Sequence, residues 1–401
     1  MRLPSPSNSL ANLALSIVVA AGLSHPLNTT DGRGVSAALF AGLEELARIV
    51  DITYCVGSTG LGIVRPFTCL SRCKDFPHFE LIRTWNTGPL LSDSCGYIAL
   101  DHGKKRVIAA FRGTYSIANT IADLSTVPQA YEPYPGPDAE ATQIEDDLAG
   151  SRHAGRSGSS DRNTNEVGKP RCENCTVHMG FQRSWINTRS AILRDLEQQA
   201  FLYPQYELNL VGHSLGGAVA ALGGLEMLSR GWQPKVTTFG EPRVGNTGLA
   251  TYINQRFNLS GEAESLAYRR VTHVDDPVPL LPLTEWGYVA HAGEIFISKS
   301  SLSPDIQDLE HCEGNNDVAC IAGQDPTADG TGPSVVRKRN LLGSVKNELQ
   351  DVMFEPWGIP SRYKLWELFF AHRDYFWRLG LCVPGGDPLG GGGKYEAAQE
   401  L

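Results

Sequence analysis

Past Leu23 the sequence has no apolar run long enough to cross a bilayer, which takes about 20 consecutive residues. It is short of positive charge: 35 Lys and Arg stand against 44 Asp and Glu, a formal net charge of -9. That balance argues against a nucleic-acid partner, which needs a basic surface. There is no internal repeat, no calcium loop and no glycine-rich phosphate cradle. Solenoid, EF-hand and nucleotide-cradling readings fall away with them. No strong compositional break marks a domain boundary either.

What is present begins with an address. Arg2 precedes an apolar stretch at residues 10–23, with Ala20, Ala21, Gly22 and Ser24 as small residues around its end. This is the pattern of a secretory signal peptide, assigned to residues 1–24, with an uncleaved anchor as the alternative. The mature chain is then expected outside the cell. Nine cysteines suit that compartment, and being odd in number they leave one over. Cys69 with Cys73, Cys172 with Cys175, and Cys312 with Cys320 can each close a short local loop. The competing zinc reading of CENC lacks a second Cys or His pair at ribbon spacing, and a redox reading lacks its βαβ surroundings. Sequons at Asn28, Asn174 and Asn258 permit N-glycosylation.

Periodicity then supplies the scaffold. Residues 35–51 carry Leu39, Leu43, Leu46 and Val50 at helical spacing. GYIAL and RVIAAF read as two buried strands joined by a tight hairpin. Residues 187–201 form an amphipathic helix with Ile192, Leu196 and Ala200 on one face. YELNLV is a strand, AVAALGGLEMLSR a helix stopped by Gly231, and KVTTFG and YRRVTHV are further strands. Strands alternating with helices predict an α/β fold with a largely parallel central sheet flanked by helices. Residues 25–386 are read as one domain. Two stretches without apolar periodicity, 134–171 and 298–338, are expected to be flexible insertions, the second partly tied by its cysteines, and 387–401 a flexible tail.

The chemistry centres on GHSLG, residues 212–216. A strand that turns at once into a helix must pass a strained corner residue, and only glycine on either side avoids a clash. The corner residue, Ser214, is thereby exposed beside a helix N-terminus whose dipole favours developing negative charge. A serine hydroxyl needs a base, and on such folds the order is serine, acid, histidine. VTHVDDPVPLLP places Asp276 at a strand end, with Asp275 as the alternative acid. His372, among aromatics, is the candidate base, ahead of His291 in a strand-like run and of His311 near the cysteine-bracketed loop. The oxyanion donors are the Leu215 amide and, from the turn after VIAAF, Thr114.

Taken with FRGTYSIANTIADL (111–124), CENCTVHMGF (172–181), FGEPRVGN (239–246) and AHRDYFW (371–377), these motifs make the chain resemble the fungal class-three lipase family. The resemblance covers most of the mature chain, in the family's order. It implies an α/β-hydrolase fold and a secreted acylglycerol lipase with Ser214, Asp276 and His372 as its triad. It implies that Cys55 pairs with Cys382, leaving Cys95 free. It also implies a lid after Thr114, where Ser116 can cap a short helix and Ile117, Ile121 and Leu124 share one face. Expected partners are an acylglycerol or other lipid ester and, transiently, a lipid–water interface; a monomer is expected. This chemistry needs no metal and no organic cofactor. The same triad would serve a feruloyl-type esterase or a phospholipase A1, and an inactive lipid-binding relative is the non-enzymatic alternative.

Overall fold

The computed structural model describes residues 32–57, 62–88, 93–113, 128–134, 171–324 and 370–384. The chain divides into two units, Met1–Gly32 and Arg33–Leu401, and the elements below belong to the second. The signal segment, Asn28, Thr114, the lid residues, most of 134–171 and the tail lie outside the described residues.

Helix α1 (Ala37–Ile52) starts where the Ser36 hydroxyl accepts the Leu39 N–H at 3.1 Å. This is a side-chain cap for an otherwise unpaired amide. Strands β1 (Phe79–Asn86), β2 (Cys95–Asp101) and β3 (Arg106–Phe111) follow as an antiparallel meander. The ribbon β4 (Pro128–Ala130) and β5 (Thr176–His178) leads into α2 (Met179–Leu202). Then come β6 (Glu207–His213), α3 (Leu215–Ser229), β7 (Lys235–Phe239), α4 (Thr247–Phe257), β8 (Tyr268–His273), β9 (Glu294–Ile297) and β10 (Leu309–His311). The main sheet has eight strands in the order β1-β2-β3-β6-β7-β8-β9-β10. From β3 to β9 neighbours run parallel, and antiparallel pairs close both edges.

The alternation of strand side chains divides the core. Ile98 and Leu100 of β2, with Val107, Ala109 and Phe111 of β3, join α2, α3 and α4 in one apolar cluster. Tyr97, Ala99, Ile108 and Ala110 point the other way and pack with α1 and with Tyr375, Phe376 and Trp377. Successive side chains on a strand face opposite sides, so helices cover both faces of the sheet. Helix α3 is buried from Leu215 to Met227. That explains why its sequence is apolar and small all round instead of striped.

Most expected elements are present, and the differences have local causes. Helix α2 begins eight residues before the expected start, because the His178 ring accepts the Phe181 N–H at 3.4 Å and caps it; histidine is not among the usual capping residues. The stretch from Ser298, expected as a flexible insertion, is structured as far as Gln324. It supplies β10 to the sheet edge and is closed by the Cys312–Cys320 bond. Strand β1, with its mixed buried and exposed face, and α4 were not anticipated.

Four disulfides join Cys55–Cys382, Cys69–Cys73, Cys172–Cys175 and Cys312–Cys320, and Cys95 is free and buried. The CENC pair is thus spent on a disulfide, which removes the zinc reading. Asn174 and Asn258 are exposed, each with a left-handed backbone (φ 52° and 51°).

Candidate active site

Strand β6 ends at His213 and α3 begins at Leu215, so Ser214 alone makes the corner. Its backbone stands at φ 57°, ψ -130°, a region that costs a non-glycine residue about 1–3 kcal/mol. The corner is held by the Ser214 N–H on the Phe239 carbonyl at 2.9 Å. Close approach accounts for both flanking glycines. A Cβ on Gly212 would lie 2.2 Å from the Gly216 carbonyl oxygen, and one on Gly216 would lie 2.4 Å from that of Phe111. Both obstacles are backbone and cannot swing aside. Gly216→Ala is therefore expected to destabilise by about 3 kcal/mol, the upper range for overpacking; thermal melting checks it, and an unchanged melting temperature would contradict the steric account.

Asp276 follows β8 and is fully buried. Both carboxylate oxygens lie within reach of His372 Nδ1, at 3.0 and 2.9 Å. Oδ1 also accepts the Val278 N–H at 2.9 Å, and Oδ2 accepts the Tyr375 hydroxyl at 2.5 Å. Burial alone would raise this carboxyl. The His372 ring and the three hydrogen bonds outweigh it and hold the group below the usual carboxylate range. An ionised carboxylate only accepts, so Nδ1 carries a proton, and in the neutral imidazole Nε2 is the bare nitrogen. His372 Nε2 is buried and has no hydrogen-bond partner among the described residues. A base poised to accept a proton looks like this.

Of the alternatives raised by sequence, His291 is engaged elsewhere through both ring nitrogens. Asp275 is half-buried, and its N–H lies 3.4 Å from His273 Nδ1. His291 stands outside β9; its Nδ1 donates to the Ala292 carbonyl (2.8 Å) and its Nε2 pairs with Glu241 at 3.1 Å. That glutamate also takes the hydroxyls of Thr238 and Tyr268, each at 2.6 Å. His311 is half-buried on β10. The Leu215 amide is the first of α3, where backbone N–H groups lack an intrahelical acceptor. Thr114 lies outside the described residues, but Gly113 before it reaches Ser214: a Cβ there would sit 2.8 Å from the serine Cβ. Sequence reasoning did not single out Tyr375, although it lies three residues after His372 in the same quoted motif, nor Tyr54, which no motif marks.

A mostly parallel sheet between helices, a serine at the strand–helix corner after β6 and a buried carboxylate–imidazole pair define a hydrolase of the α/β type. Residues 108–286 match the family model Lipase (class 3). The chain is 52% identical over 382 residues to secreted mono- and diacylglycerol lipase 2 of Gibberella zeae, covering 91% of this chain and 87% of that one. It is 49% identical to Lipase A of Sodiomyces alcalophilus, over 96% and 92% of the two chains. The crystal structure of Lip2 lipase from Yarrowia lipolytica superposes with a TM-score of 0.63 at 28% identity, over 88% and 97% of the chains. The chain belongs to the class 3 lipase family, and it is a carboxylic ester hydrolase.

Proposed function

We propose that this protein is a secreted lipase that cleaves the carboxylic esters of acylglycerols through an acyl-enzyme on Ser214. The observation that carries the reading is the bare, buried Nε2 of His372, backed by an ionised Asp276 and set beside the serine corner. Nε2 takes the Ser214 proton as Oγ attacks the ester carbonyl. The amides of Leu215 and Thr114 receive the oxyanion, where the positive end of α3 adds to their effect. His372 then protonates the departing glycerol oxygen. Water, deprotonated by the same nitrogen, releases the fatty acid and restores Ser214.

The name of the Gibberella relative directs the substrate assignment to mono- and diacylglycerols, and its secretion agrees with the signal-like first 24 residues and the four disulfides. Ser116, Ile117, Ile121 and Leu124 are assigned to a lid whose apolar face is exchanged for lipid. Initial rates on emulsified mono-, di- and triacylglycerol, on phospholipid and on methyl ferulate test the assignment. The partial glycerides are expected to react fastest, with a rise in rate above the solubility limit. Turnover of methyl ferulate alone would overturn it.

A further inference from the structure

Two buried polar side chains beside the site take no part in the steps above. Tyr54 lies in the short turn Thr53–Cys55 that ends α1, and His213 is the last residue of β6. Tyr54 Oη lies 2.5 Å from His213 Nδ1, and His213 Nε2 lies 2.8 Å from the backbone carbonyl oxygen of His372. A carbonyl only accepts, so Nε2 carries the proton, Nδ1 is bare, and the Tyr54 hydroxyl donates to it. The phenol oxygen in turn accepts the Gly113 N–H. The His213 ring stacks on that of His372, with centroids 4.7 Å apart and planes at 29°, and Tyr375 meets it edge-on at 6.0 Å. One polarised chain thus runs from the end of β3, through the residue before Ser214, to the backbone of His372.

We propose that Tyr54 and His213 are positioning residues of the hydrolytic centre, which hold the His372 ring in its reacting orientation through a histidine that must stay neutral. The proposal rests on the triad reading of Ser214, Asp276 and His372. The loop that carries His372 is tied at its far end by the Cys55–Cys382 bond and by the Gly380 N–H on Asp51 at 2.8 Å. At its near end, His213 holds the His372 backbone carbonyl, while Asp276 holds the His372 ring and the Tyr375 hydroxyl. The end of α1 and the turn after it therefore reach the base loop directly through Asp51 and Cys55, and through Tyr54 by way of His213.

Neutrality follows from the surroundings. Burial, and then the neighbouring His372, push His213 down to about 3. The groups facing it are His372, Arg373 and Tyr375 from the base loop, Asp276 from the end of β8, and Tyr54 from the turn after α1. The Tyr54 hydroxyl donates to Nδ1 and so favours the neutral ring further, and its loss shifts Nδ1 toward protonation. An imidazolium stacked on His372 would oppose the positive charge that His372 takes on in the transition state.

The test uses the full-length secreted protein, with rates normalised to sites titrated by a serine-reactive phosphonate. Tyr54→Phe is expected to lower kcat per titrated site by about 10-fold or more, with KM held within about twofold, and to move the acid limb of the kcat profile to higher pH. His213→Gln retains an acceptor for Tyr54 and a donor for the His372 carbonyl and cannot be protonated. It should therefore keep more kcat than His213→Leu, and added to Tyr54→Phe it should return the acid limb to the wild-type position. If Tyr54→Phe does not fold, the Gln and Leu variants carry the test, and equal kcat per site in the two overturns the proposal. It is also overturned if kcat per site and the pH profile match wild type while only the melting temperature falls. A wild type that takes up no phosphonate overturns the triad reading, and this proposal with it; a labelled wild type with unaltered variants overturns this proposal alone.

Discussion

Ser214→Ala is expected to remove ester hydrolysis, with kcat falling on the order of 10⁶-fold, the loss seen when a triad nucleophile is deleted. The change takes away one oxygen and leaves the corner as it was, since alanine must adopt the same φ of 57°. Ser214→Gly separates the chemical effect from the structural one. Glycine enters that conformation without a Cβ penalty, so the variant should be equally inactive yet melt above wild type, by relief of about 1–3 kcal/mol less its greater unfolded-state entropy. Hydrolysis of a tributyrin emulsion and thermal melting of the three proteins give the readout. Substantial activity in either variant would remove Ser214 from its assigned role.

Asp276→Asn should be the second most damaging change, lowering kcat by about 10⁴-fold. The carboxylate now accepts from His372, Tyr375 and Val278 together. An amide has one accepting oxygen, and its NH2 would face one of those donors. To relieve this, His372 would turn its bare nitrogen toward the amide and its N–H toward the serine, which disarms the base. The variant should also lose a pH-dependent part of its stability. The Asp276 carboxyl is depressed in the folded state, so its contribution is complete above the unfolded value and is lost as pH falls through the folded one. Melting temperatures of wild type and Asp276→Asn should therefore converge in acid and diverge toward neutral pH. Parallel curves would mean that the carboxylate is not selectively stabilised by folding.

How much of this was legible in the sequence depends on the range of the contact. The corner at Ser214 could be read because its steric rule is local: two glycines and the strand and helix around them state it in full. Asp276 and His372 were found through chain order and quoted motifs, and the structure brings these two together. Strand β1 escaped because its buried and exposed positions do not alternate cleanly past the irregularity between Leu81 and Arg83. Helix α2 is longer than its sequence pattern predicts because its cap is an imidazole. Nothing near Tyr54 or Tyr375 in the chain shows that their hydroxyls meet groups 159 and 99 residues away.

The bond between Cys55 and Cys382, 327 positions apart, has a consequence for wear. The base loop belongs to the C-terminal end of the described residues, yet it is covalently joined to the turn that follows α1. A protease that cuts the peptide chain between residues 324 and 370 would produce two fragments on paper and one molecule in solution. The imidazole would stay tethered within reach of its serine after the cut, and only a reductant could carry it off. In a compartment shared with secreted proteases, the catalyst is insured against single nicks by the same bond that closes its fold.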